Sequence, residues 1–248
     1  MIPKVIHYSW FGGNPLPDEY KKYIETWKKF CPDYDIIEWN ESNYDVTKNK
    51  YMHDAYKAGK WAFAADYTRL DVIYNHGGIY LDTDVELIKG LDSLLENEAF
   101  MGIENGKYVN PGLGFGAVKA HETIKKLRDC YLDITFVKDN GVTGPMHQTK
   151  YLLQYKLKPK SRKIQQVAGI NIFPPEYFAP KSYTSLKTKI TDNTYSIHHY
   201  SLSWFSGFQK KRHAFKLKWA ERFGGSRLAY KMAAGAARLI IKRDKQEV

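Results

Sequence analysis

Two carboxylates, Asp82 and Asp84, are separated by Thr83 and stand directly after the apolar run Ile79-Tyr80-Leu81. In extended backbone, side chains two apart leave from the same face about 7 Å apart, and a bend brings them closer. Such a pair suits a hard divalent cation, one acid ligating it and the other holding a ribose hydroxyl or a metal-bound water. Asp-x-Asp also occurs in solvated turns, so its setting matters. Upstream, Asp66 and Arg69 are three residues apart in a helical stretch and share one face. They form either an orienting ion pair or a polar patch in which Asp66 meets a sugar hydroxyl and Arg69 steadies a carboxylate or phosphates. Near the other end, His198-His199-Tyr200-Ser201-Leu202-Ser203-Trp204 clusters imidazoles and hydroxyls beside an indole.

These groups need elements to position them. Val5-Ile6-His7-Tyr8-Ser9-Trp10 reads as a buried opening strand broken by Gly12-Gly13-Asn14-Pro15. A helix is predicted from Asp18, as N-cap, to Phe30, with Tyr20, Tyr23, Trp27 and Phe30 at helical spacing and Pro32 ending it. Asp35–Trp39 is a second strand, and this β-loop-α-β order points to a nucleotide-binding α/β half. Trp61–His76 is a helix stopped by Gly77-Gly78, so the acid pair ends a short buried strand. Further strands are predicted near Ala99–Glu104 and Leu113–Val118, helices near His121–Leu132 and Pro145–Leu153, and a last strand at Ile197–Tyr200.

Bulk properties narrow the class. The 248 residues, 43% hydrophobic and 26% charged, suit one sizeable domain with a full core. Cys31 and Cys130 give neither a disulfide framework nor zinc spacing and read as core thiols. No stretch approaches the ~20 apolar residues of a membrane span, nor does the N-terminus carry an apolar signal segment, so a soluble or peripheral protein is expected. The net charge is +11, but residues 207–248 hold 12 Lys/Arg against 3 Asp/Glu, which leaves +2 for residues 1–206. A near-neutral body argues against nucleic acid as partner. We therefore expect a domain at 1–206 and a basic tail at 207–248. From Arg227, Lys231, Arg238 and Lys242 fall within about 60° of one another beside Leu228, Met232, Ala236 and Leu239. Trp219 and Phe223 precede them, an amphipathic pattern suited to an anionic membrane surface or to packing on its own domain.

Three ordered blocks, Ile2–Gly13 (IPKVIHYSWFGG), Ala64–Leu70 (AADYTRL) and Gly77–Asp84 (GGIYLDTD), carry a resemblance. They are similar to glycosyltransferase family 32, the group with an Asp-x-Asp sugar-binding region that is related to the glucosylating domain of clostridial toxins. The resemblance implies an α/β GT-A fold, a Rossmann-like sheet flanked by helices, here with a basic amphipathic helical extension. It also implies a UDP-sugar donor, Mn²⁺ or Mg²⁺ on the diphosphate, and retention of anomeric configuration. Trp10 looks like the aromatic that stacks on the nucleobase, although a core aromatic explains it too. Asp66 and Arg69 look like the sugar-contacting pair, and Asp82 and Asp84 like the ribose and metal acids. Asn40, after the second strand, is a further donor contact or a turn residue. Where the toxin-like version places a Glu ligand, His199 is expected here, since strand alternation lets only one of the two histidines reach a metal. Ser201 or Ser203 is expected to assist it, with Ser203 and Trp204 among the donor contacts and Trp204 near the diphosphate. Asn110–Gly116 lines the site or is a plain turn, and His147 and Gln148 stand where the resemblance places acceptor contacts. The function implied is transfer of a hexose, galactose or glucose, to a lipid-linked glycan acceptor of a surface or capsular polysaccharide. The location expected is the inner face of the cytoplasmic membrane, and the alternative is a sugar-nucleotide-binding protein without turnover.

Overall fold

A computed structural model gives the fold and describes residues 1–138, 142–182, 187–201 and 207–222. The chain opens with β1 (Val5–Ser9), α1 (Asp18–Phe30) and β2 (Asp35–Trp39), as the sequence predicts. Asp18 is the first helical residue rather than the cap: Pro17 takes the cap position without a side-chain bond, while Asp18 and Glu19 place charge in the first turn, where the helix dipole favours it. Two helices follow, α2 (Lys50–Lys57) and α3 (Trp61–His76). The pattern did not reveal α2, which is one short polar stretch capped by Asn49, whose side chain accepts the Met52 N–H. After α3 come β3 (Gly78–Tyr80), β4 (Val85–Leu87), β5 (Ala99–Glu104), β6 (Tyr108–Val109) and β7 (Phe115–Ala117). Then follow α4 (Glu122–Asp129), α5 (Gly144–Leu153), β8 (Gln165–Val167), β9 (Ile170–Phe173), β10 (Ser196–His198) and α6 (Gly207–Arg222).

Eight strands form the main sheet, in the order β2-β1-β3-β7-β5-β9-β8 with β6 paired to β5. β1 runs parallel to both β2 and β3. Because β3 and β5 are each antiparallel to β7, they point the same way as one another. The chain leaves β1 to one side for β2 and returns to its other side for β3. In open α/β sheets such a reversal leaves a crevice beyond the carboxyl ends of the strands, and ligands bind there.

Strand alternation divides the core. Ile79 and Phe100 pack in one apolar cluster with Trp27 of α1, while Tyr80, Ala99 and Met101 turn to a second cluster with Leu70 and Ile73 of α3. Helices therefore cover both faces, and each large apolar side chain so buried stabilises the fold by about 1.5–3 kcal/mol. Cys31 is buried and Cys130 half-buried, both as free thiols.

Met1–Pro180 and Lys189–His199 form one compact unit, and Lys181–Thr188 with Tyr200–Val248 a second. The sheet and both clusters belong to the first. In the second, α6 carries Trp219, whereas the amphipathic stretch expected from Arg227 lies outside the described residues. No helix among the described residues is long and apolar enough to cross a membrane.

Candidate active site

The site grows from α3. Ala64 and Ala65 favour helix, and every residue from Ala64 to Ile73 is buried, so a polar pair on this helix has no solvent to turn to. Asp66 and Arg69 accordingly meet each other and the end of β3. Arg69 Nη2 is 3.4 Å from Asp66 Oδ1 and 3.2 Å from Asp82 Oδ1. Its Nε donates to the Ala65 carbonyl at 3.2 Å, and the guanidinium stands 5.4 Å from the centre of the Tyr80 ring. Two flanking acids keep Arg69 charged despite burial, raising its pKa further. Burial pushes the Asp66 carboxyl up to about 6; Arg69 opposes that rise, Asp82 adds to it, and a hydrogen bond from Gly144 lowers it. That bond runs from the Gly144 N–H to Asp66 Oδ2 at 3.1 Å.

Gly77 and Gly78 redirect the chain from α3 into β3, with φ of +71° and +98°. A Cβ on Gly78 would lie 2.7 Å from the Val5 carbonyl oxygen and 2.9 Å from His7 Nε2, so this is a close approach as well as a left-handed turn. His7 locks the crossing. Its Nε2 lies 3.0 Å from the Gly77 carbonyl and its Nδ1 accepts the Trp39 indole N–H at 3.1 Å, which defines a neutral ring protonated on Nε2. Burial pushes its pKa down to about 4.

Beyond β3 the chain bends rather than staying extended: the Val85 N–H donates to the Asp82 carbonyl at 3.0 Å. The turn folds the two carboxylates toward each other. β10 then pairs antiparallel to β4, with His198 opposite Val85, and His198 Nε2 comes to 3.2 Å from Asp84 Oδ1. One ligand atom each from Asp82, Asp84 and His198 lie within 4.8 Å of one another. Asp84 is enclosed, while Asp82 keeps 27% of its side chain exposed, as a group facing an opening does. Burial raises the Asp82 pKa and the Asp84 charge raises it further, against lowering by Arg69 and His198. For His198, burial lowers the pKa, but the charge and hydrogen bond of Asp84, with Asp82 and Glu104, outweigh it and leave the ring raised.

The expectation for His199 is corrected. Only one of the two histidines joins the acids, as alternation requires, and it is His198. His199 points to the other face, where its Nε2 is 2.7 Å from Glu86 Oε2 and its ring stacks on Tyr23 at 4.5 Å.

Two glycines that the pattern did not single out close the site. Gly112 sits in the short helical turn Pro111–Leu113, capped by Asn110, whose Oδ1 accepts the Gly112 N–H at 2.8 Å. Asn110 is held in turn by Glu104 Oε2 at 2.7 Å. A Cβ on Gly112 would lie 2.2 Å from Asp82 Oδ2, and one on Gly144 would lie 2.5 Å from Asp66 Oδ1. Both loops therefore lay bare backbone on an acid. The glycine-rich run was visible in the sequence, but nothing in it marks which glycine faces a carboxylate.

Other expected residues stand nearby in local roles. Trp10 follows β1 at the carboxyl edge; its indole N–H donates to the Asn14 carbonyl at 2.6 Å and its ring meets Tyr20 edge-on. Asn40 builds the turn after β2, accepting from Ser42 N–H at 2.9 Å and Ser42 Oγ at 2.6 Å. The Gln148 amide donates to the Tyr131 hydroxyl at 3.0 Å, and His147 lies against the same ring. Ser203 and Trp204 lie outside the described residues.

Residues 17–101, which include Asp66, Arg69, Asp82 and Asp84, match the family described as the glycosyltransferase sugar-binding region containing the DXD motif. Over that stretch the chain carries a DXD glycosyltransferase sugar-binding region. The solved PaToxG glycosyltransferase superposes on this one with a TM-score of 0.51 at 22% identity, covering 62% of this chain and 69% of that one. The fold is thus GT-A, as the sequence predicts. Among curated relatives, the mannosyl phosphorylinositol ceramide synthase SUR1 of Saccharomyces cerevisiae is 28% identical over 194 residues, 74% of this chain and 49% of the relative. The human alpha-1,4-N-acetylglucosaminyltransferase is 24% identical over 159 residues, 63% of this chain and 42% of the relative. This chain spans about half the length of such relatives.

Proposed function

We propose that this protein is a glycosyltransferase that transfers a hexose from a UDP-sugar, with retention and with a divalent cation, to a lipid-linked glycan acceptor in surface or capsular polysaccharide synthesis. The observation that carries this is the convergence of Asp82, Asp84 and His198 beside the buried Asp66–Arg69 pair. Two carboxylates and an imidazole within 4.8 Å fit Mn²⁺, with Mg²⁺ as the harder alternative. A cation held there supplies the positive charge that a departing diphosphate needs.

The chain's own residues supply orientation. Arg69 fixes the angle between the Asp66 and Asp82 carboxylates, so Asp66 can accept hydroxyl hydrogen bonds from the transferred sugar while Asp82 accepts from the ribose. Trp10 offers an aromatic face to uracil at the end of β1, with Asn40 at the neighbouring strand end. Ser203 and Trp204 are assigned to the diphosphate on resemblance alone. Breaking the anomeric bond builds positive character on the sugar, which the acids favour electrostatically; no residue is assigned as nucleophile. The tail at 207–248 is assigned to an anionic membrane at its cytoplasmic face, and the glycosyltransferase domain to 1–206.

A second reading concerns the sugar. The names of several relatives specify mannosyl transfer to inositol phosphoceramide, which supports a lipid acceptor and makes mannose, and so a GDP-sugar, the rival to galactose or glucose. Calorimetric titration with UDP, GDP, UDP-sugars and GDP-mannose, with and without Mn²⁺, tests both. Metal-dependent UDP binding supports the first reading, and metal-dependent GDP binding the second. Binding without metal-dependent donor hydrolysis or transfer would favour a binding-only protein, and no binding at all would remove the donor site.

A further inference from the structure

Residues 140–175 contain six Lys/Arg and no Asp or Glu. Five of the six, Lys156, Lys158, Lys160, Arg162 and Lys163, lie in the loop between α5 and β8, and all are exposed. None of the five takes part in an ion pair among the described residues. The near-neutral total of residues 1–206 hides this segregation.

The loop is built rather than loose. Leu157 is buried in the core. Gln165 clamps Lys158 from both sides, its Oε1 accepting the Lys158 N–H at 2.9 Å and its Nε2 donating to the Lys158 carbonyl at 3.0 Å. The Ser161 N–H donates to the Lys158 carbonyl at 2.9 Å, and its hydroxyl to the Lys163 carbonyl at 3.0 Å. Leu153, Tyr155 and Ile164 flank the cations and are 51%, 43% and 46% exposed. The loop lies against the β5–β6 turn, where the Pro159 carbonyl oxygen is 3.7 Å from the place of a Cβ on Gly106, and exposed Lys107 extends the basic surface. β5 points the same way as β3, so this turn is at the sheet edge that carries Asp82 and Asp84.

We propose that the Lys156–Lys163 loop docks this sheet edge on an anionic lipid bilayer. Cations that form no ion pair among the described residues meet the surface potential of acidic headgroups, and the flanking apolar side chains enter the interface. A single-stranded nucleic acid would call for aromatics interleaved with the cations, and this loop has Tyr155 alone at its margin. The inference shares its partner with the tail reading but stands on different residues, and it needs no particular donor or acceptor.

The test is co-sedimentation of the full chain with phosphatidylcholine vesicles containing roughly a third phosphatidylserine, at physiological salt. A loop variant carries K156Q, K158Q, K160Q, R162Q and K163Q; a charge-matched control carries K21Q, K22Q, K28Q, K29Q and K57Q. Residues 207–248 are untouched in both. The loop variant should bind at least ~10-fold more weakly and the control within about twofold of the parent. Equal losses in the two variants would reduce the effect to net charge, and an unchanged loop variant would leave docking to the tail; either overturns the proposal. Tighter binding of the parent to single-stranded RNA than to these vesicles, lost in the loop variant, would overturn the choice of partner. Amide exchange on the unaltered protein gives a second measurement: vesicles should slow exchange across residues 155–164, and no slowing refutes the docking.

Discussion

Gly112→Ala should separate steric control of Asp82 from the stability of the fold. The backbone at Gly112 is not in the left-handed region, so alanine brings no conformational penalty there, only a methyl 2.2 Å from Asp82 Oδ2 and 3.0 Å from Arg69 Nη1. Restoring ordinary contact at about 3.4 Å requires the carboxylate to move by about 1.2 Å. That displacement shifts Asp82 relative to Arg69 Nη2, now 3.2 Å away, and relative to the cluster it forms with Asp84 and His198. A misplacement of about 1 Å in reacting groups costs on the order of a hundredfold in rate, while local overpacking costs about 1–3 kcal/mol of stability. Metal-supported hydrolysis of the donor, run beside thermal unfolding, reads both quantities. As a control, Gly59→Ala has φ of +66° and only the Trp61 ring edge at 3.9 Å; it should cost about 1–2 kcal/mol of stability and leave turnover unchanged. Parental turnover in Gly112→Ala would refute the argument, as would losses of activity that track unfolding equally in both variants.

His198→Ala should abolish metal-dependent nucleotide binding in calorimetry while His199→Ala retains it, and the opposite ranking would reinstate His199. Asp66→Asn removes a buried charge whose pKa of about 6 lies above its unfolded value, so the ionised group costs stability as pH rises through that interval. The variant should melt at or above the parental temperature at pH 7 yet lose turnover by a hundredfold or more; a strongly lowered melting temperature would contradict the stated cause. His7 has the opposite sign of linkage, because its folded pKa of about 4 lies below the ordinary histidine value of 6.5 and the unfolded chain binds the proton more readily. Its contribution is complete above about pH 6.5 and falls away toward pH 4, by about 3 kcal/mol in total. Urea titrations at pH 5 and pH 7 should show the parent losing more stability on acidification than His7→Gln, and equal losses would exclude His7 as the source.

What the sequence revealed was mainly local. Asp66 and Arg69 are legible as a pair because three residues make most of a helical turn, and Gly77-Gly78 is legible as a stop because few other residues take that conformation. The opening βαβ unit follows from Tyr20, Tyr23 and Trp27 at helical spacing between two apolar runs. Long-range choices were not legible. Alternation says that one histidine reaches the acids, but which one depends on the pairing of β10 with β4, more than a hundred residues earlier in the chain. Likewise, Gly112 and Gly144 matter through carboxylates brought to them by tertiary packing. β8, Gln165–Val167, is too polar for a hydrophobic pattern to mark it as a strand, and α2 is too short for its period to stand out.

Enclosure of α3 on every side from Ala64 to Ile73 has a dynamic and evolutionary consequence. A helix with no solvent face has no direction in which to slide or roll without opening the core, so its amides should be among the slowest to exchange. In the proposed sugar site Asp66 and Arg69 would then act as fixed reference points, and accommodation of different sugars would fall to the segments whose glycines stand against Asp82 and Asp66, Asn110–Gly114 and Val142–Gly144. Diversification of substrate range would be written in those short segments, with the buried helix left almost unaltered beneath.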